Sequence, residues 1–384
     1  MNIVRITGTS GNRIILGFIL ATGFISMWIS NTATTMMMFP IALSVIHVMK
    51  DSKEGRSNYK HFNLALMLSI AYASNFGGIA TIIGTPPNVA FVGFYEKKYN
   101  TNIDFIDWIL LCAPIGLILM FALYFVLTRI LFPNHIKPNE AASRHIKEEL
   151  ALLGKFSDSE KRVMIIFSGT ALLWILKDLI NTSQTFIKLD DTIIALIGAV
   201  SLFVCPSGSF KHPHNKEEPE EPESGGGLLD WSDTKRMAWG ILLLFGGGLA
   251  LAGALEKAGL IQQLGVWLSQ FSGSGFILVL MVTVLSIFIS EVMSNIAQVI
   301  VFAPVVCSLA DAVKMNPLIL GIAMTLAASC ASMMPMGTPP NAIVFASGHI
   351  KIKEMMKTGL VMNLVSIVLI TLFCWFLLPI LLKT

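Results

Sequence analysis

Long apolar runs alternate with short polar or charged segments along the whole chain. The runs cover residues 14–29, 33–49, 61–99, 107–131, 161–180, 190–206, 237–256, 275–313, 316–349 and 357–382. Many approach or exceed about 20 residues, the helical length that crosses roughly 30 Å of hydrocarbon, so the spanning elements are predicted to be helices rather than barrel strands. The predicted fold class is therefore an all-α polytopic membrane protein. Several runs are interrupted. Ser30-Asn31-Thr32 separates the first two, Ser294-Asn295 splits 275–313, and the sequence Gly-Thr-Pro-Pro-Asn breaks 61–99 at Gly84 and 316–349 at Gly337. The amphipathic, charged connection 134–160 and a short amphipathic piece near 259–272 complete the pattern, and the Pro, Glu and Gly of 211–227 predict a disordered loop.

The interruptions form an internal repeat. "SMWISNTA" at 26–33 matches "SEVMSNIA" at 290–297, and "GTPPN" occurs at 84–88 and again at 337–341, in the same order. If each Ser-Asn segment is a re-entrant hairpin, five crossings lie between the two hairpins, the last of them 237–256. An odd number inverts the second unit. Inverted repeats with interrupted helices characterise secondary transporters, whose binding site lies where the breaks meet.

Each doubled proline removes backbone donors and clashes with the preceding turn, so the chain must unwind at Thr85–Pro87 and at Thr338–Pro340. Freed carbonyls suit a hard cation such as Na⁺, and the helix starts near Asn88 and Asn341 present N–H groups to an anion. Two Na⁺ sites are expected, one from Ser26, Ser30, Asn31 and Gly84, the other from Ser290, Ser294, Asn295 and Gly337. An anion between them would meet Asn31, Thr32, Thr85 and Pro86 from one half, and Asn295, Ile296, Thr338 and Pro339 from the other. Neither Lys nor Arg occurs in 14–49, 61–96, 275–313 or 315–350, so Na⁺ and helix dipoles would offset the anion's charge.

Composition and charge agree. The 384 residues are 54 % hydrophobic and 13 % charged, and a mean hydropathy of +0.71 excludes a water-soluble globule. A net charge of +3 spread over connections is no nucleic-acid signature. With the hairpins re-entrant, 20 of the 27 Lys and Arg fall on one side, which assigns that side to the cytoplasm. Single cysteines at 112, 205, 307, 330 and 374 read as small buried hydrophobes. The apolar segments contain no HExxH and no nucleophile with a base, so an enzyme is not expected.

Other features have plainer readings. His212 and His214 lie in the solvated loop, Met36–Met38 is adaptable packing, the glycines at 246–248 pack helices, and Lys177 and Asp178 mark a helix end at the interface. Glu291 has two readings, a functional intramembrane acid or a partner for hairpin backbone.

With Ser30-Asn31-Thr32, the two GTPPN breaks, Ser294-Asn295 and "WGILLLFGGGLAL" at 239–251, the chain resembles the divalent anion/Na⁺ symporter family. The resemblance implies Na⁺-coupled transport of C4-dicarboxylates (succinate, malate, fumarate) across the inner membrane by an elevator movement, with a homodimeric scaffold. Sulfate or tricarboxylate (citrate) transport is the alternative. It assigns 12–131 and 258–384 to a transport domain and 132–257, with a loop at 207–230, to scaffold helices. Only 1–11 stand where family members carry further scaffold helices, so a shortened chain, or a non-transporting remnant or assembly subunit, is a further expectation. Ile296 replaces a Thr common in bacterial relatives, removing one hydroxyl from the expected anion site.

Overall fold

The computed structural model describes residues 10–50, 56–134, 157–183, 188–207, 226–236 and 275–382, with a few isolated positions between. These residues are helical, with a single isolated bridge between Pro206 and Gly227. The run at 237–256, the piece at 259–272 and most of the loops at 134–160 and 207–230 lie outside them.

The first repeat comprises α1 (Gly11–Ser26), α2 (Asn31–Lys50), α3 (Arg56–Gly78) and α4 (Pro86–Tyr99), followed by α5 (Phe105–Phe125), which ends in a π-helical turn at Val126–Leu131. After α6 (Asp158–Ser183) and α7 (Asp191–Val204), the second repeat runs through α8 (Gly275–Ser290), α9 (Asn295–Ala312), α10 (Pro317–Ser329) and α11 (Pro339–Ala346) to α12 (Ile352–Leu372). A π-helical turn at Phe373–Leu377 and the short α13 (Leu378–Leu381) close the chain. The unwinding expected at Thr85–Pro87 and Thr338–Pro340 falls earlier: α3 ends at Gly78 and α10 at Ser329, and the doubled prolines begin the next helices. Pro86 and Pro339 occupy first helical turns, the position where a missing N–H costs nothing. The likeness also extends further than the motifs, because Pro40 and Pro304 sit at matching places within α2 and α9.

The repeats fold together as one compact unit, and α6 and α7, with Asp104–Ile106, belong to a second. The first unit buries an apolar core together with many polar side chains, and exposes large apolar ones. Ser26, Ser74, Asn75, Thr85, Asn88, Ser290, Thr338 and Asn341 are all buried, while Leu110, Leu117, Phe121 and Phe125 form an exposed stripe along α5. A helix apolar on both its buried and exposed faces is built for lipid. Among the described residues, three helical stretches are long and apolar enough to cross a membrane: Phe105–Leu131, Asn295–Ala312 and Ile352–Leu381.

Helices α1 and α3 approach closely at Gly23 and Gly77. A methyl group added to Gly77 would lie 2.6 Å from the carbonyl carbon of Gly23, so only small residues allow the two backbones to meet. Gly77→Ala is expected to lower stability by about 1–3 kcal/mol through overpacking, read as a lower unfolding temperature of the purified protein.

The second unit corrects one expectation. Lys177 does not mark a helix end, because α6 continues to Ser183. It is buried within α6, donates to Asp191 at 2.9 Å and is also paired with Asp104. Asp191 in turn accepts the Phe105 N–H at 3.2 Å, and Phe105 stacks on Trp174. A cation buried with two carboxylates is stable only because both partners are present.

Candidate functional site at the paired helix breaks

Each break closes on itself in the same way. After α3 the chain unwinds, Thr85 turns extended, and Asn88 reaches back to donate its amide to the carbonyls of Gly78 (3.3 Å) and Thr81 (2.7 Å). After α10, Thr338 is likewise extended, and Asn341 donates to the equivalent carbonyls of Ala331 (3.3 Å) and Met334 (3.1 Å). The carbonyls stranded at the end of one half-helix are thus satisfied by the asparagine that begins the next. The amide oxygens of Asn88 and Asn341 are both buried and find no donor among the described residues.

The tips repeat too. Ser26 and Asn31 meet at 2.7 Å, and Ser290 donates to Asn295 at 2.6 Å and also lies 2.6 Å from the Ala328 carbonyl. One end of the Asn31 amide faces three oxygens, those of the Ser26 hydroxyl (2.7 Å) and the carbonyls of Ser74 (3.0 Å) and Gly84 (3.3 Å). With its nitrogen on that side, the two N–H groups of Asn31 are shared among the three. With its oxygen there, four oxygens converge, and the nitrogen donates instead to Asn75 (3.3 Å) and Thr85 (3.4 Å). Gly84 is required at this spot, since a side chain would come within 2.9 Å of the Ser26 carbonyl.

Ser26, Asn31, Gly84 and Thr85 therefore lie together, and so do Ser290 and Asn295. Ser30 and Ser294 are exposed at the turns. Ser30 accepts the Ala33 N–H at 3.3 Å, and the Ser294 side chain makes no capping bond. Thr32 is half-buried, Ile296 packs against the apolar core, and Pro86 and Pro339 begin α4 and α11. Gly337 lies beside Glu291, whose carboxylate is 3.0 Å from where its Cβ would be.

Glu291 is held as a partner for backbone, though of a different segment from the one expected. It accepts the backbone N–H groups of Ser332, Met333 and Met334, each at 2.8 Å, and the Asn363 amide at 2.7 Å. The three backbone donors belong to the unwound chain after α10 and Asn363 to α12, none of them to the hairpin. Four charge-assisted bonds hold the second break open. The first repeat has Met27 at this position and no such carboxylate.

Three contributors escaped the sequence reading. Asn75, buried in α3, donates to Thr338 at 3.1 Å and also borders Asn31, so it joins one tip to the opposite break. Tyr72 donates to the Ser332 carbonyl at 2.8 Å, and Asn363 holds Glu291. A signal existed for the first of these: Ser74-Asn75 is a third Ser-Asn pair in an apolar run.

Repeated broken helices that gather polar tips inside an apolar helical body define a membrane transporter, not an enzyme. The chain matches the family described as "Sodium:sulfate symporter transmembrane region" over residues 1–382, and it belongs to that family, the divalent anion/Na⁺ symporters. It is 38 % identical over 384 residues to the sodium-dependent dicarboxylate transporter SdcS of Staphylococcus saprophyticus, covering 99 % of this chain and 72 % of that protein. It is 36 % identical over 387 residues to SdcS of Staphylococcus aureus, covering 100 % of this chain and 72 % of that protein.

Proposed function

We propose that the protein carries C4-dicarboxylates such as succinate, malate or fumarate across the cell membrane, coupled to Na⁺. The observation that carries this reading is the Asn31 amide facing the oxygens of Ser26, Ser74 and Gly84. Rotation of that amide turns a self-satisfied cleft into one lined by four oxygens, which suits a hard, weakly polarising cation such as Na⁺. The corresponding site in the second repeat would draw on Ser290 and Asn295, which are hydrogen-bonded to each other, with Ser294 and Gly337. The anion would bind between them, against the α4 and α11 helix starts, Thr85 and Thr338, with Thr32 and Ile296 shaping its sides. Such helix starts favour negative charge without a lysine or arginine. The names of the staphylococcal relatives favour a dicarboxylate, and the family description favours keeping sulfate as the second reading.

In this reading α1–α2 and α8–α9 are re-entrant hairpins, the repeats are inverted, and the first unit is the transport domain that moves as an elevator against a scaffold in a homodimer. Asn295–Ala312 is then a hairpin arm despite its length. Reconstitution into liposomes tests the reading. An inward Na⁺ gradient is expected to drive labelled succinate uptake that unlabelled succinate suppresses more strongly than sulfate does. Stronger suppression by sulfate would transfer the assignment to that anion, and no uptake by folded protein would favour a non-transporting subunit.

A further inference from the structure

We propose that a cavity between the start of α3, the end of the α5 π-helical turn and the start of α12 binds the phosphate headgroup of an anionic phospholipid. The cavity measures about 210 Å³ and is lined by Lys60, His61, Leu131, Phe132, Glu354 and Lys357, with Leu64 and Thr358 behind. Its walls are chemically divided. Leu64, Leu131 and Phe132 supply apolar surface, while two ammonium groups and one imidazole supply polar contacts.

The charges do not balance. Glu354 is fully engaged, because one oxygen pairs with Lys60 at 2.7 Å and the other accepts the Lys351 N–H at 3.0 Å. Thr358 donates to its own helix, at the Glu354 carbonyl. Lys357 has no acceptor among the described residues, so the cavity keeps an excess positive charge. His61 donates from Nδ1 to the Pro133 carbonyl at 2.9 Å and stands edge-on to Phe132, which fixes the ring and leaves Nε2 as its remaining polar atom. A single phosphate diester would complete this set.

Lipid suits the site better than a free anion because of what continues from it. Below Lys357, the exposed residues Leu360, Leu364, Val368 and Leu372 follow at helical spacing along α12 and offer a track for an acyl chain. A soluble phosphate would leave that track and the apolar wall unused. The lysines also lie in segments that the distribution of basic residues places on the inner side, where anionic headgroups attract such clusters.

The test needs no transported substrate, so its outcome is separate from that of the uptake assay. Purified, delipidated full-length protein would be titrated with phosphatidylglycerol, phosphatidylcholine or inorganic phosphate, with binding read by native mass spectrometry and by the shift in unfolding temperature. Phosphatidylglycerol is expected to bind and stabilise, while the other two do neither. Lys60→Gln with Lys357→Gln is expected to weaken phosphatidylglycerol binding about 25-fold, roughly fivefold for each lysine. Lys161→Gln with Lys235→Gln removes the same charge elsewhere on exposed residues and is expected to change binding less than about twofold. Equal losses in the two double variants would overturn the site in favour of diffuse attraction. Equal stabilisation by inorganic phosphate would overturn the lipid assignment, and no preference for phosphatidylglycerol over phosphatidylcholine would overturn the headgroup assignment.

Discussion

Replacing Glu291 with alanine is expected to destabilise the protein by on the order of 4 kcal/mol or more and to abolish uptake. The four donors that converge on its carboxylate, from Ser332, Met333, Met334 and Asn363, are buried or half-buried and would lose their shared acceptor. Each buried donor stranded in this way costs about 1–3 kcal/mol, although Ser332 retains a bond to the Asn363 side-chain oxygen. Water cannot easily take over, because Glu291 itself is only 5 % exposed. Glu291→Gln keeps one acceptor oxygen and the volume, and is expected to lose about half as much. Thermal unfolding of the purified variants measures both. A Glu291→Ala protein that unfolds within about 2 °C of the parent would show that the carboxylate does not hold the break.

The second large effect concerns the ions. Asn31→Ala and Asn295→Ala are each expected to raise the Na⁺ concentration for half-maximal uptake about tenfold, equivalent to ~1.4 kcal/mol of lost binding. Ser69→Ala is the contrast. Its hydroxyl donates to the Leu66 carbonyl within its own helix, and the substitution is expected to leave Na⁺ dependence unchanged. Unaltered Na⁺ dependence in both asparagine variants would remove the proposed ion clefts. A loss confined to maximal rate would instead assign the asparagines to the anion or to movement.

The breaks were legible in the sequence because proline acts locally: a doubled proline cannot sit inside a helix, so it marks where α4 and α11 begin, while the earlier ends of α3 at Gly78 and α10 at Ser329 carry no such mark. The tips were legible because they occur twice. What the sequence did not show depended on tertiary packing. Nothing near Glu291 in the chain indicates that its partners are at 332–334, and nothing near Asn75 points to Thr338. Lys177 was misread for the same reason, since its two carboxylates lie far from it in sequence, at Asp104 and Asp191. Ser30 and Ser294 differ from the other serines in their surroundings. Repetition marked them alongside Ser26 and Ser290, but in the structure the inner serine of each pair reaches the asparagine and the outer one stays at the turn.

The two halves differ in charge at one matched position, where the first repeat has Met27 and the second has Glu291. Backbone N–H groups satisfy that carboxylate's lone pairs but do not cancel its formal charge. In the proposed reading, a carboxylate beside the second cleft alone would set the two ion clefts at unequal potentials. A space whose walls are nearly symmetric in shape would then be polarised end to end, and a dianion held there would have a preferred way round.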